Sequence, residues 1–219
     1  MRFSVVIPTL NRPEHIRRSV RAALDQSHRD VEVIVCSKGS AGLEDLPDDP
    51  RLQILETDDR GVPHALNQGL AASTGDVLHY ACDDDLMEPG ALEWIAANLG
   101  DRRWLTGKTW LIDADDQVIG IKGGEPWSLA GMAKRNICMQ PAVFWTRSAL
   151  EAVGPMDESV GHVCDYDYWI RLGLRWEPLV TDQVLARYRV HPGSISVCRR
   201  EEQDALADKV RQKHRAVWQ

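Results

Sequence analysis

The chain predicts an α/β fold on a mostly parallel sheet, and three observations carry that prediction. Short apolar, β-branched runs recur at Arg2 to Ile7, Val31 to Val35, Leu52 to Leu55 and Val77 to Ala81. Patterns with a helical period separate most of them, with Ile16, Val20, Ala23 and Leu24 on one face and Val62, Leu66 and Leu70 on another. These spacings are too long for hairpins and suit crossover connections, which force neighbouring strands to run parallel.

Each element has a local reason. Arg2 to Ile7 is stopped by Pro8, and Pro13 with Glu14 opens the first helix, where a missing N–H and a negative charge are both tolerated. The second helix fades before Gly75, and a third carries Leu92, Ile95, Ala96 and Leu99 on its buried face. The second half reads differently. Trp104 to Ile112 and Val118 to Lys122 flank Asp113 to Gln117 as a hairpin, giving a smaller antiparallel sheet. Gln140 to Thr146 is a further strand, Arg147 to Val153 a short helix, Asp165 to Leu174 another helix, and Val184 to Val190 a late strand. The tail from Glu201 to Trp218 has a thin apolar stripe and reads as a mostly solvated helix. Its basic end (Lys209, Arg211, Lys213, Arg215) is either simply solvated or a peripheral contact with an anionic surface.

Composition narrows the class. The chain has 219 residues, 43% hydrophobic, with formal net charge -7 and mixed signs, which argues against general nucleic-acid binding. No run reaches membrane-spanning length and the N-terminus lacks a signal-peptide layout. Five widely spaced cysteines without a C-x-x-C pair suit reduced thiols in the cytoplasm better than a disulfide or zinc framework. Eight Trp residues against two Phe serve core packing or line a sugar cleft.

The feature with most chemical content is Asp83-Asp84-Asp85, delivered by the strand ending near Ala81. Adjacent like charges repel, so three carboxylates at a strand end suit a hard divalent ion such as Mg²⁺ or Mn²⁺ and a phosphate-bearing substrate. The competing reading is a solvated acidic turn capping the helix that begins near Pro89. Phosphate fingerprints are otherwise missing. No G-x-G-x-x-G follows a strand, and Gly107-Lys108-Thr109 fails as a P-loop because Arg102 stands where a glycine is required.

Taken in order, several segments resemble one family. They are Ser4 to Arg12, Gly61 to Gly69 with Ser73 to Asp76, Cys82 to Asp85 with Pro89, Met156 to Ser159 with Asp165 to Leu172, and Tyr188 to Ser196. Together they resemble inverting glycosyltransferases of the GT-A fold, family 2 type, over nearly the whole chain to about Val197. The resemblance implies a single GT-A domain, Rossmann-like, with a nucleotide-sugar-binding half (1–100), an acceptor-side half (101–197) and a C-terminal helix (198–219).

It also implies roles. Pro8, Thr9, Asn11, Arg12, Lys38 and Asn67 fall on the donor side. Asp84 falls on the last carboxylate of the D-x-D and would hold Mn²⁺ or Mg²⁺, Asp83 would lie near the ribose, and Asp85 near the donor sugar or bracing the loop. His191 is a metal or phosphate contact, or else a hydrogen-bonded loop histidine. Asp165 would be the general base that takes the acceptor proton. Its alternative is an N-cap, and Asp167 competes for the role. Gln140 and Trp127 fall on the acceptor side, Trp127 as a sugar platform or as packing.

Departures from the family pattern bear on the donor. Lys38 stands where an acid usually accepts the uracil N3–H, and lysine has no acceptor. Leu10 replaces a stacking aromatic, Cys82 the first acid of the D-x-D, and Cys164 a glutamate before the base. A UDP-sugar is the default, with a GDP-sugar or another nucleotide sugar as the alternative and a hydroxyl-bearing acceptor of unspecified kind. Two other functions compete, a catalytically silent sugar-nucleotide-binding protein and a nucleotidyltransferase. The loop after the first strand lacks the glycines the latter normally shows.

Overall fold

The computed structural model describes residues 1–58 and 60–218. Its strands are β1 (Phe3–Thr9), β2 (Val31–Ser37), β3 (Leu52–Glu56), β4 (Val77–Tyr80), β5 (Leu86–Met87), β6 (Trp104–Ile112), β7 (Val118–Gly123), β8 (Val143–Thr146) and β9 (Leu179–Arg189). The helices are α1 (Pro13–Leu24), α2 (Val62–Ala72), α3 (Ala91–Asn98), α4 (Leu129–Met132), α5 (Arg147–Val153), α6 (Cys164–Gly173), α7 (Ile195–Cys198) and α8 (Arg200–Lys213). All nine strands share one sheet, in the order β3-β2-β1-β4-β8-β6-β9-β5, with β7 also paired to β6. The first four are mutually parallel, with α1 and α2 as crossover helices and a 3₁₀ turn, Leu43–Asp45, between β2 and β3. The strands of the second half extend this sheet, with β8 antiparallel to both β4 and β6 and β7 antiparallel to β6. The small antiparallel part is therefore continuous with the parallel one.

Two apolar clusters cover the sheet. One contains Phe3, Val5, Ile7, Ile16, Val20 and Ile95. The other contains Val6, Leu66, Trp104, Trp145, Tyr168 and Trp169. Burial on both faces explains why β1 and β2 read as continuous apolar runs. The close fit of α2 depends on Gly69, where a Cβ would lie 2.4 Å from Val6 Cγ1 and 2.6 Å from Cys36 Sγ.

Several expectations change. β1 passes through Pro8 to Thr9; its pairing with β4 ends at Val6, so the missing N–H of Pro8 costs no ladder bond on that side. Gln140–Ala142 is a 3₁₀ turn and the strand begins at Val143. Trp127 is packing: its ring meets Trp104 edge-on at 4.9 Å and occupies the space a Cβ on Gly173 would fill. It lines neither cleft of the site. The end of α8 is an anchor, because Lys213 Nζ lies 2.6 Å from both Asp157 and Asp167, and His214 Nε2 lies 2.8 Å from Asp167.

Candidate active site

The parallel strands β1, β2 and β4 release their chains at one edge of the sheet, where ligands of open α/β folds bind. The aspartate triplet leaves β4 there, and a turn closed by Asp85 N–H donating to the Cys82 carbonyl separates its members. Asp83 turns toward β1. It accepts from Thr9 Oγ1 at 2.7 Å and from Arg12 Nη1 at 3.1 Å. Asp84 accepts from the same Arg12 nitrogen at 2.9 Å, and its Oδ2 lies 3.0 Å from His191 Nε2. Gly193 N–H donates to His191 Nδ1, so the ring hydrogen sits on Nε2 and faces Asp84. Asp85 is 3% exposed; its Oδ1 accepts from Arg189 N–H at 2.8 Å, while Oδ2 has no partner among the described residues.

Electrostatics follow from this crowding. Burial pushes Asp83 up to about 6 against the pull of Thr9 and Arg12. Burial, with the charge of Asp84 beside it, drives Asp85 well above the ordinary carboxylate range. Burial alone would lower Arg12, but the charges of Asp83 and Asp84 outweigh it and raise the group. One ligand atom each from Cys82, Asp84 and Asp85 lies within 4.8 Å of the others. The two carboxylates among them suit Mg²⁺ or Mn²⁺, and the unpartnered Asp85 oxygen is the sort of buried atom that an ion satisfies. The residues present therefore fit a divalent ion, held by Asp84 with Asp85 and His191 beside it.

Asp165 starts α6 and lies on the wall of the same cleft. It accepts from Asn136 Nδ2 at 3.0 Å, and burial raises its pKa to about 6 against hydrogen bonds from the Tyr166 N–H and Asn136. Asp167 has no exposure and points elsewhere, bonded to Arg171, Lys213 and His214. Burial would raise its pKa, but those hydrogen bonds and the Arg171 charge hold it well below the usual range. Of the two carboxylates, only Asp165 faces a cavity.

Two adjoining clefts share Pro8, Arg12, Val62, Asp83, His162 and Ile195. The first, about 400 Å³, also takes in Asp84, Gln140 and Asp165. The second, about 560 Å³, runs from Thr9 to Lys38 and Asp58. The fold thus brings together Pro8, Thr9, Arg12, Lys38, Asp83, Asp84, Gln140 and Asp165, with Asp85 and His191 against Asp84.

Besides Trp127, two candidates lie outside both the clefts and the cluster around Asp84. Asn67 exchanges hydrogen bonds with the backbone of Met156, so it braces the loop before α6 and lines neither cleft. Asn11 has φ 55°, an exposed side chain and a backbone bond to Ser40; it shapes the turn. Three participants escaped the sequence. Asn136 is far from Asp165 in the chain and has no local signal. Arg189, 1% exposed, donates to the Asp84 carbonyl from inside a motif whose other residues drew the reading. His15, whose ring lies 5.1 Å from that of His191, sits on the partly wet side of α1.

Comparison with known proteins bears on the fold. Residues 4–107 match the family model described as glycosyl transferase family 2. A Rickettsia felis protein described as an uncharacterized glycosyltransferase is 22% identical over 91% of this chain, which spans 36% of that relative's length. The S. aureus TarS 1–349 structure in complex with UDP superposes with a TM-score of 0.68 at 18% identity, covering 88% of this chain and 61% of that one. The mannosyltransferase PcManGT from Pyrobaculum calidifontis, in complex with GDP-Man and Mn²⁺, gives 0.68 at 20% identity, covering 90% and 59%. The fold is that of the GT-A class. The likeness to glycosyl transferase family 2 is carried by residues 4–107, and the chain spans about a third of the length of the first of these relatives.

Proposed function

We propose that the chain is an inverting, divalent-metal-dependent glycosyltransferase that moves a sugar from a nucleoside diphosphate to an acceptor hydroxyl. The observation that carries this is the shared cleft of Asp84 and Asp165, a phosphate-side carboxylate and a part-buried base on one cavity. Residues 1–100 supply the donor side and 101–197 the acceptor side, with the C-terminal helix closing the latter.

In this reading Asp165 takes the acceptor proton as the acceptor oxygen bonds to the anomeric carbon and the bond to the diphosphate oxygen breaks on the opposite face. Asn136 holds the carboxylate in place. Arg12 offers positive charge to the departing diphosphate, and Thr9 and Asp83 sit toward the donor's nucleoside. A divalent ion held by Asp84 would supply further stabilisation of that leaving group.

The base end of the donor meets Lys38 and Asp58 in one cleft. A lysine can donate to guanine O6 or N7, and a carboxylate accepts from its N–H groups, so this pair favours a GDP-sugar over the UDP-sugar default. The five cysteines are free, which suits a reducing compartment such as the cytoplasm. No helix among the described residues is long and apolar enough to cross a membrane.

A silent binding protein is the second reading, favoured by Leu10, 51% exposed where a stacking ring would serve the base. Hydrolysis of nucleotide sugars in Mn²⁺ decides between them. The proposal expects turnover that Asp84→Asn and Asp165→Asn each abolish; donor binding without turnover in the native protein supports the silent reading.

A further inference from the structure

The carboxylate triplet is not the group that converges. Asp83 is turned away to Thr9 and Arg12, and Cys82 takes its place beside Asp84 and Asp85. The thiol lies on the wall of the cleft that holds Asp165, and Sγ donates to Gln140 Oε1 at 3.2 Å. Gln140 is itself fixed by its amide, which donates to the Tyr80 carbonyl, so the thiol is held toward the carboxylates. The second pointer to a ligand is Asp85, 97% buried, whose Oδ2 has no partner among the described residues.

We propose that Cys82 is a metal ligand of this site, completing a sulfur–oxygen donor set with Asp84 and Asp85 that selects thiophilic divalent ions. The inference rests on the metal-dependent reading above and goes beyond it, because oxygen donors alone would hold Mg²⁺ or Mn²⁺ without a preference for softer ions. Thiolate sulfur favours Zn²⁺, Cd²⁺ and Co²⁺, whereas carboxylates and water suit Mg²⁺ and Mn²⁺. On binding, a metal–sulfur bond forms, the S–H bond breaks, and the proton passes to the buffer. The hydrogen bond to Gln140 is given up at the same time. An ion held this way occupies the place of Mn²⁺, so Zn²⁺ or Cd²⁺ would compete with the activating ion.

The test is titration of the full chain and of Cys82→Ser with Co²⁺, Cd²⁺ and Mn²⁺. Co²⁺ should produce a thiolate-to-metal charge-transfer absorption in the near ultraviolet that the variant lacks. Cd²⁺ affinity should fall about tenfold or more in Cys82→Ser, the scale on which metal sites respond to losing a supporting group, with little change for Mn²⁺. A second measurement needs no variant: Cd²⁺ should slow alkylation of Cys82 while leaving the exposed Cys198 reactive. Equal Cd²⁺ affinity in both proteins, or unprotected Cys82 under saturating Cd²⁺, overturns the thiol ligand while leaving the metal-dependent reading intact. Failure of every ion to bind the native chain overturns both.

Discussion

At the residue scale the account turns on two carboxylates that share a cleft and do different work. Asp84 is tied to Arg12 and His191, so Asp84→Asn should abolish metal-dependent donor binding. Asp165 should leave binding intact when changed to Asn and lose about 10²- to 10⁴-fold in kcat, the usual contribution of a general base. Its raised pKa also fixes a pH dependence. With a folded value of about 6, above the ordinary 3.8, the carboxyl is neutral and useless as a base in acid. The kcat/KM profile should therefore fall as pH drops through about 6. The sign for stability runs the other way: ionisation is disfavoured in the fold, so stability is lost as pH rises from the ordinary value of 3.8 through about 6, and no further above it. Asp165→Asn should then raise stability at pH 8 by on the order of 2 kcal/mol, measured by urea unfolding.

At the scale of elements, α6 presents one acid to the cleft and buries another to anchor the chain's end. Asp167 ties α6 to Arg171, Lys213 and His214, and Asp167→Asn should cost about 1–3 kcal/mol by weakening these bonds at a buried acceptor. Because the folded pKa is lowered, this stabilisation is present above the unfolded value and lost as pH falls through the folded one. Gly69→Ala tests how α2 seats on the sheet. Helix propensity alone would gain about 1 kcal/mol, but the new methyl meets Val6 and Cys36, and overpacking of about 1–3 kcal/mol should win. A lowered midpoint in thermal unfolding checks it.

Elements with a strong period were legible because burial imposes it: α1, α2, β2 and the β6–β7 hairpin stand where the apolar spacing put them. The two-residue β5 exists only through its pairing with β9 and leaves no period to read. Among candidate site residues, motif order singled out Asp84 and Asp165, and the fold places both on one cleft. Asn67, expected on the donor side, and Trp127, open between a platform and packing, both have structural partners for a common reason. An amide and an indole each have a polar and a structural use, and only the fold shows which partner is in reach.

At the scale of the whole molecule, one sheet carries both halves of the chain, so the distance between Asp84 and Asp165 is set by β4, β8 and α6 together. With Lys38 and Asp58 on one cleft, GDP-sugars should stabilise the chain more than UDP-, CDP- or dTDP-sugars. Lys38→Asp should shift that preference toward UDP, as read by the same thermal shifts.

The most direct measurement is the melting temperature of the native chain, Asp84→Asn and Asp165→Asn with that set of nucleotide sugars, with and without Mn²⁺, alongside donor turnover. The account predicts that at least one nucleotide sugar raises the melting temperature only when Mn²⁺ is present. Asp84→Asn should lose that rise, and Asp165→Asn should keep it while losing turnover. Metal-independent shifts, an unaffected Asp84→Asn, or full turnover by Asp165→Asn would contradict it.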